Sequence, residues 1–180
     1  IPLKILIGTR TSTPVENLEV NSEFLASGRL HDLLPERSPH YPDSFTATWS
    51  PELLTWRLAH PEKRYTIHIS EYFVVISTKI TLFHFPISVI LKVLPRTKTT
   101  TPISGNHLVG IVSIYHRTPI VAYWGINQTV RFHGFTVPRR LMPKPLDLVL
   151  HSFSDYNGKR KFDSRNFKIG GFEFLDFDAF

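Results

Sequence analysis

Two aspartates near the end of the chain, Asp176 and Asp178, follow Glu173 in a segment that alternates apolar and polar residues. In an extended strand such a spacing puts both aspartates on one face, with Leu175, Phe177 and Ala179 on the other. A carboxylate held there can act as a general base on an amine or hydroxyl. The alternative is structural pairing with Arg57 or Arg64, because buried carboxylates are normally paired. Trp56 and Arg57 are the second candidate group. Either they line a substrate groove, with Arg57 gripping an anionic group, or Trp56 packs in the core and Arg57 makes a structural ion pair. Tyr123, on a buried apolar segment, joins Trp56 and Arg57 as a substrate-binding candidate.

Other chemistries are excluded. The nine histidines are spread along the chain, without an H-x3-H or H-E-x-x-H pair. His107 and His116 share a helical segment but lie on different faces, so no metal site is expected. No cysteine is present, which removes disulfides and thiolate ligands. No G-x-S-x-G elbow occurs, and Ser104 sits in a capping context, Pro-Ile-Ser-Gly-Asn. The net charge of +6, from 21 Lys and Arg against 15 Asp and Glu, favours anionic small molecules or glycans over a neutral partner, or else a solvated basic surface. The cations are scattered apart from Lys159-Arg160-Lys161, and no nucleic-acid module is recognisable.

These side chains need a scaffold, and the pattern predicts one. Ile1–Ile7 reads as a strand and 9–22 as a linker. Residues 24–34 form a helix weakened by Gly28. Ser50 as N-cap, Pro51 at the first helical position and Glu52 behind it open a second helix, which Pro61 ends. Residues 65–70, 73–80 and 87–93 read as strands of an antiparallel meander, with a short strand or turn at 81–85. Lys79, His84, Pro86 and Lys92 interrupt this apolar stretch, so no membrane span is expected. Leu108, Ile111, Val112 and Tyr115 share one face of a helix capped by Ser104 or Asn106. A strand at 120–124 stops at Gly125. A short helix covers 128–133, and further strands cover 146–153 and 172–180. Such an order fits an α/β (α+β) chain with a mixed, mostly antiparallel sheet flanked by helices.

Three segments carry a resemblance. Ser50-Pro-Glu-Leu-Leu-Thr-Trp-Arg-Leu-Ala-His-Pro61 with Arg64-Tyr65 resembles a segment of two-part GNAT-family proteins, often encoded beside surface-polysaccharide genes. Gly134-Phe135 is similar to the Gly-Phe that follows the fourth helix of GNAT domains. Phe172–Phe180 resembles their terminal strand. The resemblance covers roughly residues 45–180 and implies a GNAT-like fold. Ile1–Ile7 would end a preceding GNAT-like half, which makes 1–22 its tail plus a linker and 23–180 the domain.

The same resemblance implies an acyltransferase. The donor would be acetyl-CoA or another acyl-CoA, the acceptor a sugar or small metabolite, and the location cytoplasmic. Tyr115 would protonate the leaving thiolate, with Asp176 or Asp178 as base. GNAT domains cradle the CoA pyrophosphate in a glycine-paired loop before a helix N-terminus. At the equivalent place this chain has Pro95–Asn106, with Arg96, Lys98, Gly105 and Asn106 as the cofactor-binding candidates but only one glycine. The departure leaves two expectations: an active acyltransferase half, or a non-catalytic acceptor-binding or scaffolding domain whose CoA site lies in the preceding half.

Overall fold

The computed structural model describes residues 2–8, 14–34, 44–82, 84–96, 103–138, 140 and 168–176. In chain order its strands are β1 (Leu3–Ile7), β2 (Glu16–Glu19), β3 (Ser44–Thr46), β4 (Thr66–Ile69), β5 (Phe73–Leu82), β6 (Phe85–Pro95), β7 (Ile103–Ser104), β8 (Ile120–Asn127), β9 (Val130–Arg131), β10 (Phe135–Thr136) and β11 (Lys168–Glu173). The helices are α1 (Ser22–Ala26), α2 (Leu30–Leu33), α3 (Pro51–Leu58) and α4 (Gly105–His116), and a 3-10 turn spans Phe174–Asp176.

The main sheet runs β10-β1-β8-β6-β5-β4-β2, antiparallel throughout except for the parallel pair β6–β8. It is the mixed, mostly antiparallel sheet flanked by helices that the sequence implies. α4 links the two parallel strands, because a parallel pair needs a crossover. Each face has its own core. Leu30, Leu33, Leu54 and Leu58 pack on Ile67, Ile76, Val89 and Leu91. Leu108, Val109 and Val112 pack on Val75, Ile90 and Val121. Ile67, Ile76 and Ile90 are fully buried, and each such side chain stabilises the fold by roughly 1.5–3 kcal/mol.

Local rules explain the helices. Ser50 Oγ accepts from Leu53 N at 3.2 Å and Pro51 opens α3, as expected. Gly28, at φ 73°, splits the expected 24–34 helix into α1 and α2. α4 ends at Arg117 in the left-handed conformation, and Ser104 holds its N-cap position without a side-chain bond.

Several expectations need correction. β1 lies within this sheet, between β8 and β10, and 9–22 is not only a linker, since β2 is the edge strand beside β4. Gly125 does not stop β8. It lies within the strand, where a Cβ would sit 2.8 Å from Glu173 Cα and Phe172 O. Residues 130–131 are strand rather than helix, because they pair with β7. The last strand ends at Glu173, so Asp176 sits in a 3-10 turn. The strand expected at 146–153 lies outside the described residues. Among the described residues no helix is long and apolar enough to cross a membrane.

Candidate functional site

The parallel strands part company halfway. β6 and β8 pair over Ser88–Ile90 and Val121–Tyr123 and no further. The β5–β6 pairing has an irregularity just past that point: β6 is bulged between its partners of Ile76 and Ser77, so that Lys92 opposes Ile76 and Ile90 opposes Ser77. A bulge bends and twists its strand, which helps to turn β6 away from β8. β11 enters the opening. Gly125 N bonds Pro2 O on the β1 edge of β8, so β11, which pairs with Gly125–Asn127, lies on the edge that β6 has left.

Three ionisable side chains meet in the opening. Lys92 Nζ is 2.7 Å from Asp176 Oδ2 and 3.4 Å from Glu173 Oε2, and all three side chains are nearly inaccessible. Asp176 is fully used: Oδ1 accepts from Trp49 Nε1 at 2.7 Å, and Oδ2 also accepts from Glu173 N at 2.6 Å. Glu173 accepts from Val93 N at 3.2 Å and from Tyr123 OH at 3.2 Å. Asn127 Nδ2 donates to Val93 O at 3.2 Å. Both backbone groups of Val93 are thus satisfied by side chains from the far side of the opening. Burial pushes the Glu173 carboxyl above its ordinary 4.5, against the pull of Lys92. Burial, followed by the Glu173 charge, pushes the Tyr123 phenol far up, so it remains a hydrogen-bond donor.

A second polar chain crosses the α4 side of the sheet. His68 Nδ1 lies 2.6 Å from Asn17 Oδ1, and His68 Nε2 lies 2.7 Å from Ser77 Oγ. Ser77 Oγ in turn is 2.8 Å from His116 Nε2. The Asn17 amide nitrogen donates to Val15 O, so its oxygen accepts from His68 Nδ1–H. His68 Nε2 then accepts the Ser77 hydroxyl, and Ser77 accepts His116 Nε2–H. Burial lowers His68 to about 3 and His116 to about 4, with further lowering from His116 and Lys79 respectively, so both rings are neutral. Ser77 is fully buried, and the chain orders the sheet rather than presenting a nucleophile.

The structure separates the predicted residues. Asp176 joins the buried cluster, while Asp178 and Lys98 lie outside the described residues. Tyr115 OH donates to Glu19 Oε1 at 3.2 Å beside the histidine chain, away from Asp176. Tyr123 is buried, stacked on Phe132 at 4.0 Å, so it lines no open groove. Arg96 turns back to the β4–β5 turn, where Nη1 donates to Ser70 O at 3.0 Å and its backbone N–H to Tyr72 O at 2.9 Å. Gly105 is buried because a Cβ there would meet Arg131 O at 2.5 Å and Phe132 Cδ1 at 2.6 Å, while Asn106 is exposed in the first turn of α4. Arg57 is half-buried, its charge acting on Tyr65 and Lys63.

Trp56 is the exception to the core reading: it is 66% exposed. It lines an open groove of about 420 Å³ with Leu25, Leu30, His31, Glu52 and Thr55. Glu52 lies 3.9 Å from His31 Nε2, and hydrogen bonding from Ser50 holds its carboxyl below 4.5.

Lys92, Trp49 and the His68–Ser77–His116 chain were not candidates in the sequence. A lone Lys in the run Ile90–Leu94 was the available signal for the first, since a buried lysine requires a partner. Among the described residues no three His, Cys, Asp or Glu side chains are grouped to hold a metal ion.

No protein-family model matches the chain, and no curated protein matches it. Among solved structures, it is similar to an aminoglycoside acetyltransferase from an uncultured soil metagenomic sample, in complex with trehalose. The likeness covers 77% of this chain and 94% of that one, at 12% identity and a TM-score of 0.32.

Proposed function

We propose that this is a GNAT-like domain of an acyltransferase-type protein, acting as an acceptor-binding half without an acyl-CoA site of its own. The carrying observation is the state of Val93. A ligand held between two diverging strands needs their unpaired backbone groups, and here Glu173 and Asn127 already occupy the N–H and C=O of Val93. The cofactor-binding candidates support the same reading, since Arg96 bonds the β4–β5 turn and Gly105 is closed in by Phe132. The acyl donor would then be bound by the preceding GNAT-like half in the same chain.

The acceptor would lie on the Trp56 groove. An exposed indole offers an apolar face to the C–H side of a sugar ring, and the ionised Glu52 carboxylate accepts hydroxyl hydrogens beside it. Isothermal titration of this chain with acetyl-CoA and with a panel of amino sugars and disaccharides tests the reading. Sugar binding that disappears in Trp56→Ala, with no acetyl-CoA heat, is the expected result. Acetyl-CoA binding or acyl transfer by this chain alone would overturn it in favour of an active acyltransferase half.

A further inference from the structure

The hairpin of β5 and β6 outruns its neighbours. β4 pairs with β5 only as far as Ser77, and β8 pairs with β6 only from Ser88. Residues 78–87 therefore form an arm whose two strands pair with each other, closed by a turn in which His84 has φ 69°. The arm is apolar on one face. Leu82 opposes Phe85 and Ile80 opposes Ile87. Phe85 is 69% exposed and Leu82 49%. Ile87, at the base of the arm, is buried, and the exposed apolar residues of the arm are Ile80, Leu82 and Phe85; on β1, Ile7, opposite Ile120, is 79% exposed. Single exposed apolar residues need no explanation, but a contiguous apolar face marks an interaction site.

Charge narrows the partner. Residues 72–146 hold nine of the 21 Lys and Arg and none of the 15 Asp and Glu. Lys79 on the arm donates to His116 O at the end of α4, next to the exposed Arg117. At the base of the arm, Thr78 Oγ1 donates to the backbone oxygen of the exposed Arg64. Cations therefore flank an apolar tip; residues 72–146 supply no carboxylate, and Glu19 of β2, bonded by Tyr115 and acting on His116, is a carboxylate on the α4 side.

We propose that this arm docks on an anionic lipid surface. Leu82 and Phe85 enter the boundary between headgroups and acyl chains, while Lys79, Arg64 and Arg117 meet lipid phosphates. Apolar insertion together with cationic attraction is the two-part pattern of reversible surface binding. A second copy fits poorly, because apposed arms would bring these cations face to face. Nucleic acid would use the cations but leave Leu82 and Phe85 without a role.

Co-sedimentation of the chain with phosphatidylcholine vesicles, with and without about one third phosphatidylserine, tests this. The protein should sediment with the anionic vesicles roughly tenfold more strongly, and high salt should release it. The Leu82→Asp/Phe85→Asp variant should lose binding while retaining its circular-dichroism spectrum. Lys79→Glu and Arg117→Glu should each weaken binding roughly fivefold. Phe85→Trp gives a second readout, a blue shift of the new indole on adding anionic vesicles. Equal sedimentation with neutral vesicles, or no blue shift, overturns the proposal. So does a dimer abolished by the tip substitutions without vesicle binding, or tighter binding to a labelled single-stranded RNA than to the vesicles.

Discussion

Lys92 Nζ lies 2.7 Å from Asp176 Oδ2, across 84 residues of sequence. The pair ties the turn after β11 to the strand at the centre of the sheet, and it does so without access to water. Such a pair contributes modestly when intact and costs heavily when one partner is removed. Lys92→Met should therefore destabilise the fold by about 3–5 kcal/mol, read as the shift of the urea midpoint.

Glu173→Gln should behave differently. Burial raises the folded pKa of Glu173 above its unfolded value, because the buried site penalises the charged carboxylate. Its contribution is fully present below the unfolded value of 4.5 and is lost as pH rises through the folded value. Glutamine mimics the protonated acid. The variant should therefore be closest to the parent at low pH and gain relative to it as pH rises, as seen in urea titrations from about pH 5 to about pH 8.

The neutral histidine chain predicts an acid limb. His68 is lowered to about 3 and His116 to about 4, so the unfolded chain takes up protons first. Stability is full above the unfolded value of 6.5 and falls as pH drops towards the folded values. The His68 slope is about 1.4 kcal/mol per pH unit in that window, with a smaller share from the more open His116. His68→Gln should flatten this limb, which thermal melts at stepped pH will measure. Ser77→Ala, which leaves the His68 and His116 ring nitrogens without their shared partner, should cost roughly 1–3 kcal/mol at neutral pH.

Trp56→Ala separates binding from folding. The side chain is 66% exposed, so its removal should change stability by no more than about 0.5 kcal/mol. Acceptor binding by titration calorimetry should nevertheless disappear. A large loss of stability would instead return Trp56 to a structural role.

Gly125→Ala tests how tightly β11 is seated. The new methyl would approach Glu173 Cα and Phe172 O at 2.8 Å, and both belong to a strand that cannot move without breaking its own ladder. A cost of roughly 1–3 kcal/mol is expected, with faster hydrogen exchange in 168–173 than in β5.

The elements were legible where local rules govern. Ser50-Pro51-Glu52 announces α3, and the β-branched run from Phe73 announces the meander, because capping and side-chain stiffness act over a few residues. The site was less legible because long-range packing builds it. Tyr65, Ile67 and Ile69 alternate with Thr66, His68 and Ser70, the pattern of a half-buried strand, yet all four β4 residues are buried, since a half-exposed strand and a doubly covered one share this pattern. Gly125 looked like a strand end, whereas the close approach of β11 explains it. Asp176 was visible as a carboxylate, but its partner Lys92 was hidden in an apolar run until the 3-10 turn brought the two together.

The place of β1, between β10 and β8, also shapes how the chain reaches its fold. Its residues are made well before their partners, since they pair with Ile120–Trp124 and with Phe135–Thr136, over a hundred residues later. A strand that must wait that long leaves an unpaired apolar edge on the emerging chain, and such edges are where nascent proteins aggregate. Non-local closure of this kind also slows folding. This part of the sheet closes only once β8 has left the ribosome, and until then Leu3–Ile7 is an unpaired edge for a chaperone to cover.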